Sequence, residues 1–303
     1  MTNISFKSLT LPLFLSFTLS LTAKAQLFQG DTLKIVEPTA IFQKVKPGTI
    51  VIMGESHGLA QHRDQHVEVL NGLRQQGLKV SVGMEFINYP DQTFVNQYLS
   101  KEINDEQFKS LANWQGFDFQ FYKQQILFPN PSEGAATIAL NIPRFVTSKI
   151  AKTGLESLTP DEQKLMPPHF QIGRDSYKQR FTEIMHVPPG PSLDLYFIAQ
   201  STWDDTMAWT ATEYMKDHPD QVLVIVVGDF HAQFGGGLAN RILARAPQTN
   251  VLIVSQVWAA NFLDDGSVTP MTDEEIKTEI TPSAVYGPRG DFVWVSKPTP
   301  VLK

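Results

Sequence analysis

Two apolar runs end in the same four-residue pattern of glycine, carboxylate, any residue, histidine. Thr49-Ile-Val-Ile-Met53 leads into Gly54-Glu-Ser-His57, and Val222-Leu-Val-Ile-Val-Val227 leads into Gly228-Asp-Phe-His231. A carboxylate and an imidazole so close in sequence can share a proton, ligate a metal ion or hydrogen-bond a polar ligand. A third run, from Lys79, stops at Glu85. A fourth, Thr137-Ile-Ala-Leu140, delivers Asn141 and, just past Pro143, Arg144. A guanidinium there could grip a carboxylate or phosphate at two points, or could be an ordinary helix-start arginine.

These residues act together only if the runs that carry them are neighbours. The runs are continuous and rich in β-branched residues, the pattern of strands buried on both faces of a parallel sheet. Ligands in such sheets sit just beyond the carboxyl ends of the strands. The expected fold is therefore α/β: a mostly parallel central sheet flanked by helices. Glu55, His57, Glu85, Asn141, Arg144, Asp229 and His231 should converge on one rim.

Ala60 to Gln76 predicts a helix closed by Gly77, which makes a βαβ unit of the first and third runs. His62 and His66 lie four apart on it, a spacing that can bind metal, yet Arg63, Asp64 and Glu68 around them predict a solvated face. Leu27 to Val36 reads as a small hairpin or edge piece. Leu193 to Lys216 reads as a long helix carrying Gln200, Trp203, Asp204 and Met207. Leu238 to Ala244 predicts a helix, Val251 to Val257 a buried strand, and Asp291 to Ser296 a late edge strand.

Two stretches do not suit a doubly wound sheet. Residues 89–131 are helical in pattern and rich in aromatics, and residues 155–191 are punctuated by Pro160, Pro167, Pro168, Pro188, Pro189 and Pro191. Both are expected to be helical insertions that fold over the strand ends as a cap. The aromatic series suits a core, but it also suits the walls around a flat apolar ligand such as haem, whose iron a tyrosine phenolate can hold. Tyr122 is the first such tyrosine, with Tyr89 and Tyr177 behind it. Gly235-Gly-Gly237 has neither the Walker lysine nor the dinucleotide spacing, so no phosphate loop is expected there.

Lys7, the apolar stretch from Leu9 to Leu21 and the small-x-small ending Thr22-Ala-Lys-Ala25 predict a secretory signal peptide over residues 1–25. Residues 26–303 would then form one α/β domain that includes both insertions. The apolar stretch is shorter than a membrane span and interrupted by Pro12, which argues against an anchor. The chain has no cysteine, which excludes a lipidated-cysteine anchor and a disulfide framework and suits a soluble periplasmic or secreted protein. Its 25 basic and 31 acidic residues give a net charge of −6, which becomes −8 once Lys7 and Lys24 leave with the leader. That acidity, without a basic tract, argues against nucleic acid and anionic membrane as partners.

In order, the chain presents GESH and a histidine-bearing helix, GMEF, Trp114-x(4)-Phe119-x-x-Tyr122, ALNIPR, WDDTMA and VVGDFH. This ordered set, from about Thr49 to Val257, resembles the ChaN-like haem-binding uptake family of the Tiki superfamily, which also contains TraB-like proteins, Tiki proteases and erythromycin esterases. The resemblance implies a parallel sheet with a helical cap, export from a bacterial cell, haem binding linked to iron acquisition, and a homodimer. It also implies that residues at the positions of Glu55, His57, Glu85 and His231 serve metal binding or acid/base hydrolysis in the superfamily's enzymes.

Two readings follow. In the first, an exported haem-binding protein holds its ligand with cap aromatics, a tyrosine or histidine on the iron, and Arg144 or a histidine on a propionate. His57, Glu85, Asn141, Trp203, Asp204, Asp229 and His231 would share the lining. In the second, Glu55 or Glu85 with His57 activates water against an ester or peptide. That activation would be direct, or would pass through a divalent metal ion held by Glu55, His57, Glu85 and His231.

Overall fold

A computed structural model describes residues 25–114, 116–185, 190–263 and 266–298, so the leader expected over residues 1–25 lies outside the described residues except for Ala25. Its centre is an eight-stranded sheet in the order β2-β1-β10-β7-β3-β6-β4-β5. The strands are β1 (Gln26–Gln29), β2 (Ile35–Val36), β3 (Thr49–Glu55), β4 (Lys79–Asn88), β5 (Thr137–Asn141), β6 (Gln221–Gly228), β7 (Asn250–Trp258) and β10 (Phe292–Ser296). The short strands β8 (Ala260–Phe262) and β9 (Val268–Pro270) form a separate antiparallel pair. From β10 to β5 every neighbouring pair is parallel, and only β1, paired antiparallel with both β10 and β2, runs against the rest.

The apolar runs are strands because both of their faces are covered. Val51, Met53, Val82, Met84, Val224 and Val226 pack on one side with Val69, Leu70 and Leu73 of the helix Ala60–Gln75. The alternate residues Ile50, Ile52, Leu223, Ile225 and Val227 face the other side. There they meet Met207, Ala208 and Ala211 of the long helix Pro191–Asp217, and Leu238 and Ile242 of the helix Gly237–Arg245. Each of these Val, Leu, Ile and Met side chains contributes about 1.5–3 kcal/mol by leaving water.

Two expectations need correction. The strand Phe292–Ser296 lies inside the sheet, between β1 and β7, and all five of its residues are buried. His62 and His66 are also fully buried, because residues 62, 65, 66, 69, 70 and 73 share the inward face of their helix. Arg63, Asp64 and Glu68 fall on its other sides. There the His66 Nε2 lies 2.6 Å from Gln256 Oε1, and Gln65 joins Gln256 to Ser296.

The aromatic stretch supplies short helices, including Gln92–Leu99 and Asp105–Leu111, and its Tyr98, Phe108, Phe119 and Tyr122 complete the core on the first side of the sheet. The proline-rich stretch is clamped to the long helix by Asp205, a fully buried carboxylate. Asp205 accepts from Arg241 Nε at 2.8 Å, from Arg245 Nε at 2.8 Å and from the backbone N–H of Gln171 at 3.2 Å. No helix among the described residues is long and apolar enough to cross a membrane.

Candidate functional site

A cleft of about 1080 Å³ opens at the carboxyl ends of β3, β4 and β5. Its floor holds His57 and Glu85. Phe86, Phe117, Ile142 and Trp203 form apolar walls, and the helix Arg144–Thr153 forms one side. Phe86 and Phe117 pack against the His57 ring, with centroids 5.0 and 4.8 Å away.

Glu55 ends β3 and is buried. One carboxylate oxygen, Oε1, accepts from the Tyr122 hydroxyl at 2.6 Å and lies 2.8 Å from His57 Nδ1. The other oxygen lies 3.7 Å from His66 Nε2. His57 keeps 28% of its side-chain surface exposed. Burial pulls its pKa down, but the Glu55 hydrogen bond and the charge of Glu85 outweigh that and leave it raised. Its ring lies over Gly228, where a Cβ would stand 2.9 Å from Nε2. Glycine at the end of β6 is thus what gives the imidazole room.

Behind His57 lies a second carboxylate–imidazole group. Glu85 accepts from the Gly228 N–H at 2.7 Å, and its other oxygen stands 3.4 Å from His231 Nε2. His231 Nδ1 lies 2.7 Å from Asp204, which is fully buried on the long helix. Burial opposes a charge on His231, yet Asp204 and Glu85 together raise its pKa to about 10. Burial likewise opposes ionised Glu85, and His231 and His57 bring it down to about 2. His231 is therefore an imidazolium at neutral pH, held between two carboxylates.

The other expected residues divide. Asn141, Arg144 and Trp203 line the cleft. Asp204 lies beneath it as the partner of His231. Asp229 does not reach it. Its carboxylate accepts from Ser255 Oγ and Arg289 Nη2, both at 2.7 Å. The reason is register: Glu55 pairs with Gly228, so the second G-acidic-x-H copy sits one residue late, and a one-residue offset turns a side chain to the opposite face.

Tyr122 is 1% exposed and its hydroxyl donates to Glu55; burial, and after it the Glu55 charge, pushes the phenol pKa up. The placement expected of an iron ligand is not found there. Tyr177 is buried against Gln200, and the Tyr89 hydroxyl donates to the Leu165 carbonyl.

Sequence reading placed Phe117 in the aromatic series that could wall a ligand, but it missed Ser148 and Lys152. The last two could have been found from their spacing of four and eight residues after Arg144. Gly54-Glu-Ser-His-Gly58 also spells the G-x-S-x-G of a nucleophile elbow. Ser56, however, lacks the left-handed backbone, and among the described residues its hydroxyl bonds to no imidazole.

The donor set does not suit a resident divalent ion. Among the described residues no three His, Asp or Glu side chains are grouped to hold one. His231, with both ring nitrogens facing carboxylates, has no lone pair to offer.

Fold and cleft define an α/β protein with a roomy, aromatic-walled site at the carboxyl ends of parallel strands. The chain belongs to the ChaN family of haem-binding uptake proteins in the Tiki superfamily, whose family profile matches residues 41–242. Among solved structures it is similar to ChaN of Campylobacter jejuni, described with cofacial haem binding. The TM-score is 0.62 at 16% identity, covering 90% of this chain and 97% of that one. An erythromycin esterase in its open conformation aligns with a TM-score of 0.45 at 11% identity, covering 91% of this chain and 99% of that one. No curated protein sequence matches the chain.

Proposed function

We propose that this chain is an exported, periplasmic or secreted haem-binding protein serving haem or iron uptake, with the ligand held in the cleft between the strand ends and the inserted helices. The observation that carries the reading is the combination of a cleft of about 1080 Å³ walled by Phe86, Phe117 and Trp203 with a half-buried imidazole on its floor. Such walls and volume suit a flat apolar ring system. A carboxylate on Nδ1, as Glu55 is to His57, fixes the tautomer of a ligating histidine and leaves Nε2 as the donor. Haem, when bound, would supply an iron that a protein donor such as His57 could hold. His57 is the side chain placed to meet the ligand, Glu85 and the His231–Asp204 pair set the charge beneath it, and Tyr122 supports Glu55.

A second reading, water-attack hydrolysis of an ester or peptide, is favoured by the two carboxylate–imidazole groups on one floor. His57 would take a proton from water while the His231 imidazolium steadies developing negative charge. The test is a haem titration of the chain beginning at Gln26, followed by its Soret band, with metal content measured on the same sample. A saturable shift that His57→Ala weakens about tenfold or more, at unchanged far-ultraviolet signal, supports the haem reading. Unsaturable uptake, together with ester or peptide hydrolysis that His57→Ala abolishes, refutes it in favour of hydrolysis.

A further inference from the structure

One side of the cleft is a single face of the helix Arg144–Thr153. Arg144, Ser148 and Lys152 recur every four residues along it and all line the cleft. The opposite face, Val146, Thr147 and Ile150, is buried, so the helix has no freedom to turn its basic stripe elsewhere. Lys149, which also borders the cleft, is neutralised by Glu162 at 2.6 Å. Arg144 and Lys152 are not: among the described residues neither side chain has an ion-pair partner. Two uncompensated cations thus border an apolar cleft in a chain whose net charge is −6. Asn88, Asn141 and Ser148 add neutral hydrogen-bonding groups to the same walls.

We infer that this stripe is a dicarboxylate subsite: Arg144 at one end and Lys152 at the other each take one carboxylate of a single flat ligand, with Ser148 donating between them. This rests on the haem-binding reading and deepens it by naming the part of the ligand that the cleft selects. Eight residues of helix separate the two cations by about 12 Å, a span that two flexible cationic side chains can close on the paired acid groups of one porphyrin edge. Arg144 offers a two-point fork, and Lys152 a point charge. The apolar walls bind any flat ring; the stripe distinguishes a diacid from its uncharged analogue.

The experiment compares haemin with haemin dimethyl ester, in the same dilute detergent, by quenching of tryptophan fluorescence and by the Soret band. The two probes share iron and ring, so their difference isolates the carboxylates. The parent chain should bind the diacid about tenfold or more tightly than the diester, with the gap narrowing as salt is added. Arg144→Gln and Lys152→Gln, both on an exposed helix face, should each close part of that gap while leaving diester affinity and thermal stability unchanged. Equal affinity of the parent for both probes overturns the subsite and leaves the haem reading standing. Failure of haemin itself to bind saturably overturns the haem reading, and the subsite with it. A gap that survives in the doubly substituted chain shows that the carboxylates are read elsewhere and also overturns the proposal.

Discussion

Replacing Asp204 with asparagine tests the buried ion group under the cleft. His231 sits between Asp204 at 2.7 Å and Glu85 at 3.4 Å, and its pKa rises from the ordinary 6.5 to about 10. At about 1.4 kcal/mol per pKa unit, the charged histidine contributes roughly 4 kcal/mol to the folded state at neutral pH. The sign is that of a raised pKa: the contribution is complete below 6.5 and is lost as the pH climbs through about 10. In that window the parent should lose about 1.4 kcal/mol of stability per pH unit from this group. Asp204 is the stronger of the two partners, so Asp204→Asn should remove roughly half of the effect, about 2 kcal/mol, and end the decline about 1.5 pH units earlier, leaving the upper part of the window flat. The height of the curve near neutrality changes less, because the variant no longer buries the Asp204 charge. Urea unfolding of both chains at several pH values between 6.5 and 10 reads the two slopes. If they are parallel across the window, His231 is not an Asp204-held imidazolium and the charge assignment under the cleft is wrong.

Tyr122→Phe removes the shortest bond to the buried Glu55 carboxylate and should cost about 1–3 kcal/mol in urea unfolding. It should leave the Soret band of bound haem where it is, since the phenol faces Glu55 and not the cleft; a displaced band would make Tyr122 an iron ligand after all. Asp205→Ala strands Arg241 and Arg245, both largely buried, and should cost about 3–5 kcal/mol. Limited proteolysis of that variant should cut first in residues 160–174, the stretch that Asp205 clamps.

What the sequence made legible follows from its periodicities. Val51 and Val224 belong to runs that are apolar on both faces, as covered parallel strands need, and Val82 to an alternating run that stops at Glu85, so the sheet and the rim carrying His57 and Glu85 could be placed. The repeated G-acidic-x-H ending misled in one respect, because sequence similarity carries no strand register: Glu55 faces the site while Asp229, one residue out of step, faces Arg289. His62 and His66 were misplaced because charged neighbours were weighed above the helical spacing that puts both on the face of Leu70 and Leu73. Tyr122 was placed in the aromatic series correctly, but nothing local reveals that a hydroxyl is spoken for by a carboxylate 67 positions earlier. The basic stripe from Arg144 to Lys152 was visible in the spacing, yet only the cleft gives that spacing a purpose.

The register offset also determines how much chain a working site requires. Because Asp229 turns away, it ties the turn that carries His231 to Arg289, which in turn meets Glu279 at the far end of the sequence. Both residues lie past the segment that the family profile covers, as does β7, the hydrogen-bonded neighbour of β3. A gene fragment trimmed to residues 41–242 would keep every floor residue of the cleft and still lose the strand beside Glu55 and the anchor beside His231. For anyone dissecting or transplanting this site, the smallest useful piece is therefore larger than the stretch by which its kinship is recognised.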